Sequence, residues 1–380
     1  MDVDREYCIF LSVADPSADD HCANLINALR SEGHTNIRFV GVGGPKMAQA
    51  GCELLETTVG RAAMIYKAFT LVVYFWRVLR GIKKYLKDNN VDLVVVCDSP
   101  GFNWHVAKLA KKLRIKTLFY VAPQLWAWAP WRIRKLRKRC DKLCCILPFE
   151  EHWFAERGID VAFVGNPMIG AIETAWGRAK QYSRYDPAAP RIAILPGSRQ
   201  AELKALWEPM QQIGLRIKSN HPRVAFVTIA VDDERRKWLQ QNQIPDFQSE
   251  YTVGTVCSTA ESADFALVAS GSATLQVAAM GCPMVVMYQS SRILWHLVGR
   301  WLVRTEFLCL VNILAGRELV PEFMPYFSSI EPIVETVERF LADKDKLKRL
   351  STELVDLARP LGERHAGREL ASVIIQMLRQ

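Results

Sequence analysis

Asp98 directly follows the apolar run in residues 92–97 (DLVVVC) and opens the loop SPGFN. A carboxylate at the end of a strand buried on both faces looks into the crevice where open α/β sheets bind ligands. There it can accept the proton of an attacking hydroxyl, or it can simply cap the following helix. Further along, Pro196, Gly197, Ser198 and Arg199 follow the strand-like RIAIL, and Glu202 comes soon after. Gly197 permits a tight turn, Ser198 offers a hydroxyl and an N–H, and Arg199 offers a planar fork for phosphate. Ser270, Gly271, Ser272, Ala273 and Thr274 follow FALVA in the same way and lead into a helix. Small residues at such a junction expose N–H groups that can neutralise a diphosphate without a metal. In NILAGRE, Asn312, Arg317 and Glu318 gather an amide, a guanidinium and a carboxylate around Gly316. Taken singly, each cluster is ambiguous; as an ordered set they are specific.

Other chemistries leave no trace. No H-E-x-x-H, Walker loop, G-x-S-x-G or kinase signature occurs, and Pro45 and Met47 break the dinucleotide spacing in the glycine turn GVGGP. The seven histidines are scattered, and the nearest cysteine cluster, Cys140, Cys144 and Cys145, has no C-x-x-C. Neither a metal nor a cofactor is expected.

Strands alternating with helices must position these residues. Residues 7–13, 37–42, 92–97 and 117–121 read as strands in the first half, with helical spacing at 22–30 and 106–113. Residues 191–195, 224–229, 265–268 and 284–288 repeat the pattern in the second half. Alternation in both halves predicts an α/β protein with two Rossmann-like parallel sheets covered by helices. The seam falls near residues 170–190, where the apolar periodicity lapses and prolines appear.

Size and composition agree. At about 150 residues per domain, 380 residues make two domains. Half of the residues are hydrophobic and 23% are charged, which excludes a disordered or fibrous chain. Ten cysteines are too few for a disulfide scaffold, and the acidic start MDVDREYC is unlike a signal peptide, so an intracellular chain is expected. Lys and Arg number 49 against 40 acids, a net charge of +9, with a dense basic run from Arg132 to Lys142. Nucleic acid, anionic lipid headgroups, a phosphorylated substrate and a merely solvated helix face all fit such a run.

One segment breaks the pattern. Residues 68–76 (AFTLVVYFW) are almost wholly apolar and are followed by Arg77, Arg80, Lys83, Lys84 and Lys87. Nine helical residues span about 13 Å, far short of the roughly 30 Å hydrocarbon core, so the segment does not cross a membrane. It is either a core helix or an interfacial one that dips Phe69, Val72, Phe75 and Trp76 into lipid or acyl chains. The cations that follow favour the interface.

The ordered series GVGGPKM (41–47), VDLVVVCDSPGFN (91–103), YVAPQLWAW (120–128), LPFE (147–150), FVGNPM (163–168), ILPGSRQAE (194–202), ASGSATL (269–275), CPMVV (282–286) and NILAGRELVPE (312–322) resembles the lipid-A-disaccharide synthase family. The resemblance runs from about residue 8 to residue 325. It implies the GT-B arrangement, two Rossmann-like domains with the active site in the cleft between them. An acceptor- and membrane-facing domain is expected over residues 1–175, joined by a C-terminal helix at 355–380, and a UDP-sugar domain over 185–350. The implied reaction joins UDP-2,3-diacylglucosamine to 2,3-diacylglucosamine 1-phosphate. It is an inverting, metal-independent transfer giving a β-1,6 disaccharide 1-phosphate and UDP.

Asp98 is the implied catalytic base. Ser17, Arg199, Ser270, Gly271, Ser272, Gln276, Asn312, Arg317 and Glu318 are the implied contacts to UDP and the donor. The resemblance also implies a peripheral place on the cytoplasmic face of the inner membrane, with a homodimer among the assemblies open to the chain. Four positions in three motifs depart from the family pattern. Asp15 and Ala18 replace a glutamate and a glycine near the start, Gly101 replaces a second carboxylate after Asp98, and Gln276 replaces a ribose-gripping glutamate. Those departures keep an inactive lipid- or UDP-sugar-binding homologue in view, beside a UDP-sugar epimerase of the same architecture. A nucleic-acid binder using Trp126, Trp128 and Trp131 is the remaining rival.

Overall fold

The computed structural model describes residues 5–59, 68–170 and 177–380, without the side chains of 68–71, 294, 298 and 300. The chain divides into two compact units, one built from residues up to Gly170 together with Leu361–Gln380, the other from Ala171–Pro360.

Among the described residues the first unit holds seven parallel strands. They are β1 (Tyr7–Ser12), β2 (Ile37–Gly43), β3 (Glu53–Thr57), β4 (Leu93–Cys97), β5 (Lys116–Tyr120), β6 (Lys142–Cys145) and β7 (Val161–Phe163). Their spatial order is β3-β2-β1-β4-β5-β6-β7. The pleat sends alternate residues of β1 to opposite faces. Ile9 and Leu11 pack with Cys22, Leu25 and Ile26 of helix Pro16–Ser31 and with Leu370 and Ile374 of helix Ala366–Arg379. Phe10 faces the other way, its ring centroid 5.9 Å from that of Tyr85 on helix Ala68–Asp88. Burial on both faces is why β1 and β4 read as unbroken apolar runs.

The second unit repeats the plan with β8 (Arg191–Leu195), β9 (Ala225–Ala230), β10 (Glu250–Val253), β11 (Phe265–Ala269), β12 (Met284–Met287) and β13 (Glu322–Phe323). The order is β10-β9-β8-β11-β12-β13, all parallel. In both units the chain runs outward from the first strand, returns, and adds its fourth strand on the opposite side. That reversal opens a crevice beyond the carboxyl ends of the two middle strands, β1 and β4 in one unit and β8 and β11 in the other.

Five strands escape a reading of the sequence. β3 lies at a sheet edge with only Leu54 and Glu56 partly covered, and β13 is two residues long. β6 begins at the last residue of the basic run and is four residues long, and β7 and β10 are three and four residues of mixed burial. None is an apolar or alternating run long enough to stand out.

Candidate active site

At the first crevice, Asp98 and Ser99 both adopt left-handed backbone conformations, φ 49° and 43°. For non-glycine residues this costs on the order of 1–3 kcal/mol each and persists only where neighbours enforce it. Asn103 is the enforcer. Its buried side chain donates to the carbonyls of Cys97 at 2.9 Å and Asp98 at 2.8 Å, and accepts from the Ser12 hydroxyl at 2.7 Å. The Asp98 N–H donates to the Tyr120 carbonyl at 3.0 Å, so three neighbouring strand ends fix the turn. Asp98 itself is half-buried, and Ser99, not Asp98, is the N-cap of helix Pro100–Lys112. The Ser99 hydroxyl donates to the Asp15 carboxylate. The shortened acid therefore still reaches the turn that carries Asp98. At Gly101 a Cβ would meet open space.

The glycine turn after β2 has a structural explanation. Asp19, buried on helix Pro16–Ser31, accepts the backbone N–H groups of Gly44 and Lys46 at 3.0 Å and Met47 at 3.1 Å. A Cβ on Gly44 would lie 2.4 Å from that carboxylate, so glycine is required for the approach. Beside the site, burial depresses His21 to about 4, leaving a neutral imidazole against the Tyr120 ring.

Glu150 is a second buried acid that spacing did not single out. It accepts from the Trp126 indole N–H at 2.9 Å and from the Leu147 N–H at 3.2 Å, and burial raises it to about 7. This fixes Trp126 inside the unit, which removes it from any stacking surface. Part of the basic run is committed as well. Arg139 donates to the Trp104 carbonyl at 3.2 Å, and Lys142 pairs with Asp160 at 2.6 Å. Burial pushes the Cys140 thiol up to about 12 and raises Cys144 and Cys145 as well, so these remain protonated thiols.

Helix Ala68–Asp88 is two-faced. Val78, Ile82 and Leu86 are buried, and Phe75 packs on Phe102, ring centroids 4.9 Å apart, in the first turn after the Asp98 loop. Val72 and Trp76 are 66% and 56% exposed, with Arg80 stacked 3.9 Å from the Trp76 ring. Arg77, Lys83, Lys84 and Lys87 also face outward. The side chain of Phe69 lies outside the described ones. No described helix is long and apolar enough to cross a membrane.

At the second crevice, the turns after β8 and β11 line a cavity of about 280 Å³. Arg199, Ser270, Gly271, Ser272 and Gln276 all border it. Glu202 shapes its floor, accepting the N–H groups of Ser198 and Arg199 at 3.1 Å and the Arg199 guanidinium at 2.9 Å. Gly197 has φ 109°, and a Cβ there would press on Glu202 at 2.8 Å, so the PGSR turn needs its glycine. The Arg199 side chain is otherwise solvent-facing.

Not every expected donor contact within the second unit borders this cavity. Ser17 is exposed on the first unit. Asn312 is buried, and its amide is spent on the chain itself. It accepts from Leu319 at 2.8 Å and Val320 at 2.9 Å, and donates to the Val320 carbonyl at 2.9 Å and Glu322 at 3.0 Å. Asn312 therefore holds the NILAGREL loop together. Arg317 pairs with Glu353, and neither it nor the exposed Glu318 lines the cavity. Among the described residues no group of three His, Cys, Asp or Glu side chains could hold a metal ion.

The fold recurs in proteins of low sequence identity. A UDP-GlcNAc 2-epimerase from Neisseria meningitidis matches at TM-score 0.60 and 11% identity, over 98% of this chain and 99% of that one. Acinetobacter baumannii MurG matches at TM-score 0.60 and 14% identity, over 97% and 99%. Sequence similarity is narrower. A lipid-A-disaccharide synthase from Anaeromyxobacter dehalogenans is 32% identical over 382 residues, covering 98% of this chain and 97% of its own. The model of the lipid-A-disaccharide synthetase family matches residues 9–373, taking in both crevices and all their turns. With its two Rossmann-like GT-B units, the chain belongs to the lipid-A-disaccharide synthase family of glycosyltransferases.

Proposed function

We propose that the protein transfers 2,3-diacylglucosamine from its UDP-linked form to the 6-hydroxyl of 2,3-diacylglucosamine 1-phosphate. Asp98 takes the proton of that hydroxyl as its oxygen attacks the anomeric carbon from the face opposite UDP. The carbon–oxygen bond to UDP breaks with its electron pair, giving the inverted β-1,6 disaccharide 1-phosphate. Arg199 and the backbone N–H groups around Ser270–Ser272 hold the departing diphosphate, and Gln276 holds the ribose. No metal is needed where a guanidinium and aligned N–H groups carry that charge.

One observation carries this reading. A strained, half-buried Asp98 stands at the switch point of one unit, and a cavity bordered by Arg199 stands at the switch point of the other. The outward face of helix Ala68–Asp88 supports a peripheral place on the cytoplasmic face of the inner membrane, where diacylated substrates reside. Because Phe75 touches Phe102, that lipid-facing helix is mechanically joined to the loop bearing the base.

The test is to incubate purified protein with both diacylated substrates and follow products by mass spectrometry. Disaccharide 1-phosphate and UDP in equal amounts are expected. UDP release without disaccharide, or conversion of UDP-GlcNAc to its C2 epimer, would sink the proposal.

A further inference from the structure

We propose that the second unit carries its own lipid-facing surface, a one-sided apolar strip in residues 291–304 that fits the headgroup–acyl boundary of an anionic bilayer. The strip consists of short helical pieces, Arg292–Leu294 and Arg300–Leu302, around a π-helical turn at Trp295–Gly299. Ile293, Leu297 and Trp301 are 73%, 70% and 72% exposed, and Leu302 is exposed beside them. Positions spaced by four drift about 40° per step around an α-helix. The wider π turn offsets that drift, so the three side chains stay on one side. Single exposed apolar residues are ordinary on a protein surface, but a contiguous strip of them marks a contact.

The polar side of the strip ties it down. Arg292 donates to the Ser328 hydroxyl at 2.9 Å and lies 5.1 Å from the Tyr326 ring, and His296 bonds the Tyr326 hydroxyl at 2.9 Å. Ser290 donates its N–H to the Pro325 carbonyl at 2.9 Å just before it. The apolar side chains are thus presented from an anchored element.

Charge selects the partner. No Asp or Glu occurs between Asp264 and Glu306, whereas Arg292, Arg300 and Arg304 interrupt the apolar positions. Cations and a tryptophan among exposed aliphatic residues, with no acids, are the composition of an interfacial segment on an anionic leaflet. A second copy docking this strip on itself would bring like charges together. The proposal rests on the membrane reading above only in taking the bilayer as partner; its residues belong to a different unit and a different element.

The full-length protein is sedimented with phosphatidylcholine vesicles, with and without phosphatidylglycerol. The variants are Ile293→Ser/Leu297→Ser/Trp301→Ser, Arg300→Glu/Arg304→Glu and Val72→Ser/Phe75→Ser/Trp76→Ser. On anionic vesicles each second-unit variant should raise the lipid concentration for half-binding at least about tenfold, with melting temperature near wild type. If the apolar triple variant is misfolded, the charge reversal decides. Unchanged vesicle binding in a folded second-unit variant overturns the proposal. Loss confined to the Val72 set overturns this surface and leaves the first unit's contact standing, whereas a wild type that binds no vesicles overturns both. A dimer that dissociates in the Ile293 set while vesicle binding is unchanged assigns the strip to a second copy instead.

Discussion

Asn103, in the first turn of the helix after β4, accepts a 2.7 Å hydrogen bond from the Ser12 hydroxyl at the end of β1. The same side chain grips the carbonyls of Cys97 and Asp98, so the two strands flanking the switch point close on one amide. This is what holds Asp98 in its strained conformation, and it separates two kinds of substitution.

Asp98→Asn keeps the fold and removes the base. Turnover should fall by about 10²–10⁴ while UDP affinity, read by calorimetry, stays near wild type. A variant retaining more than half the wild-type rate would make Asp98 structural. Asn103→Ala should lower both melting temperature and rate, because the Ser12 hydroxyl and two carbonyls lose their partner.

Arg199 points into solvent at the rim of the second cavity, so its loss should cost binding and little stability. Arg199→Ala should weaken UDP by roughly 1.5–3 kcal/mol in titration calorimetry, the value of a hydrogen bond to a charged group. Turnover should be indifferent to EDTA. Activity abolished by chelator and restored by Mg²⁺ would refute the metal-free diphosphate site.

The opposite outcome is expected at Asn312. Its amide satisfies four groups within the NILAGREL loop, so Asn312→Ala should destabilise the protein by about 1–3 kcal/mol or more in denaturant melts. Saturating UDP should not restore the loss. An unchanged melt with weakened UDP would return Asn312 to the ligand.

Glu150 makes stability depend on pH. Burial raises its carboxyl from 4.5 to about 7, more than the Trp126 and Leu147 donors lower it. Between those values the folded protein retains a proton that the unfolded chain has lost, so stability declines as pH rises and levels off above about 7. Thermal melts of wild type and Glu150→Gln across that window should show the wild type losing ground to the variant as pH increases. Parallel curves would mean that Glu150 is ionised throughout.

Val72, Phe75 and Trp76 divide the helix between protein and surroundings. Replacing exposed Val72 and Trp76 with Ser should weaken co-sedimentation with anionic vesicles and leave the melting temperature nearly unchanged. Phe75→Ser should also lower the melting temperature, because it removes the contact with Phe102. A large thermal loss from the first two would place that face in the core.

The middle strands β1, β4, β8 and β11 were legible in the sequence because burial on both faces demands unbroken apolar runs. The places of Asp98, Arg199 and Ser270–Ser272 in turns at the carboxyl ends of these strands were legible for a related reason, because the end of each apolar run fixes where its turn begins. The tertiary structure decided which polar residues line a crevice and which satisfy the backbone. Asn312 and Arg317 have types that suit a phosphate, yet one amide closes a loop and one guanidinium meets Glu353. Asn103 and Asp19 were silent because their partners are mostly backbone groups of turns, which leave no mark on side-chain spacing. Residue type limits which bonds a group can make, but only packing determines which partner arrives first.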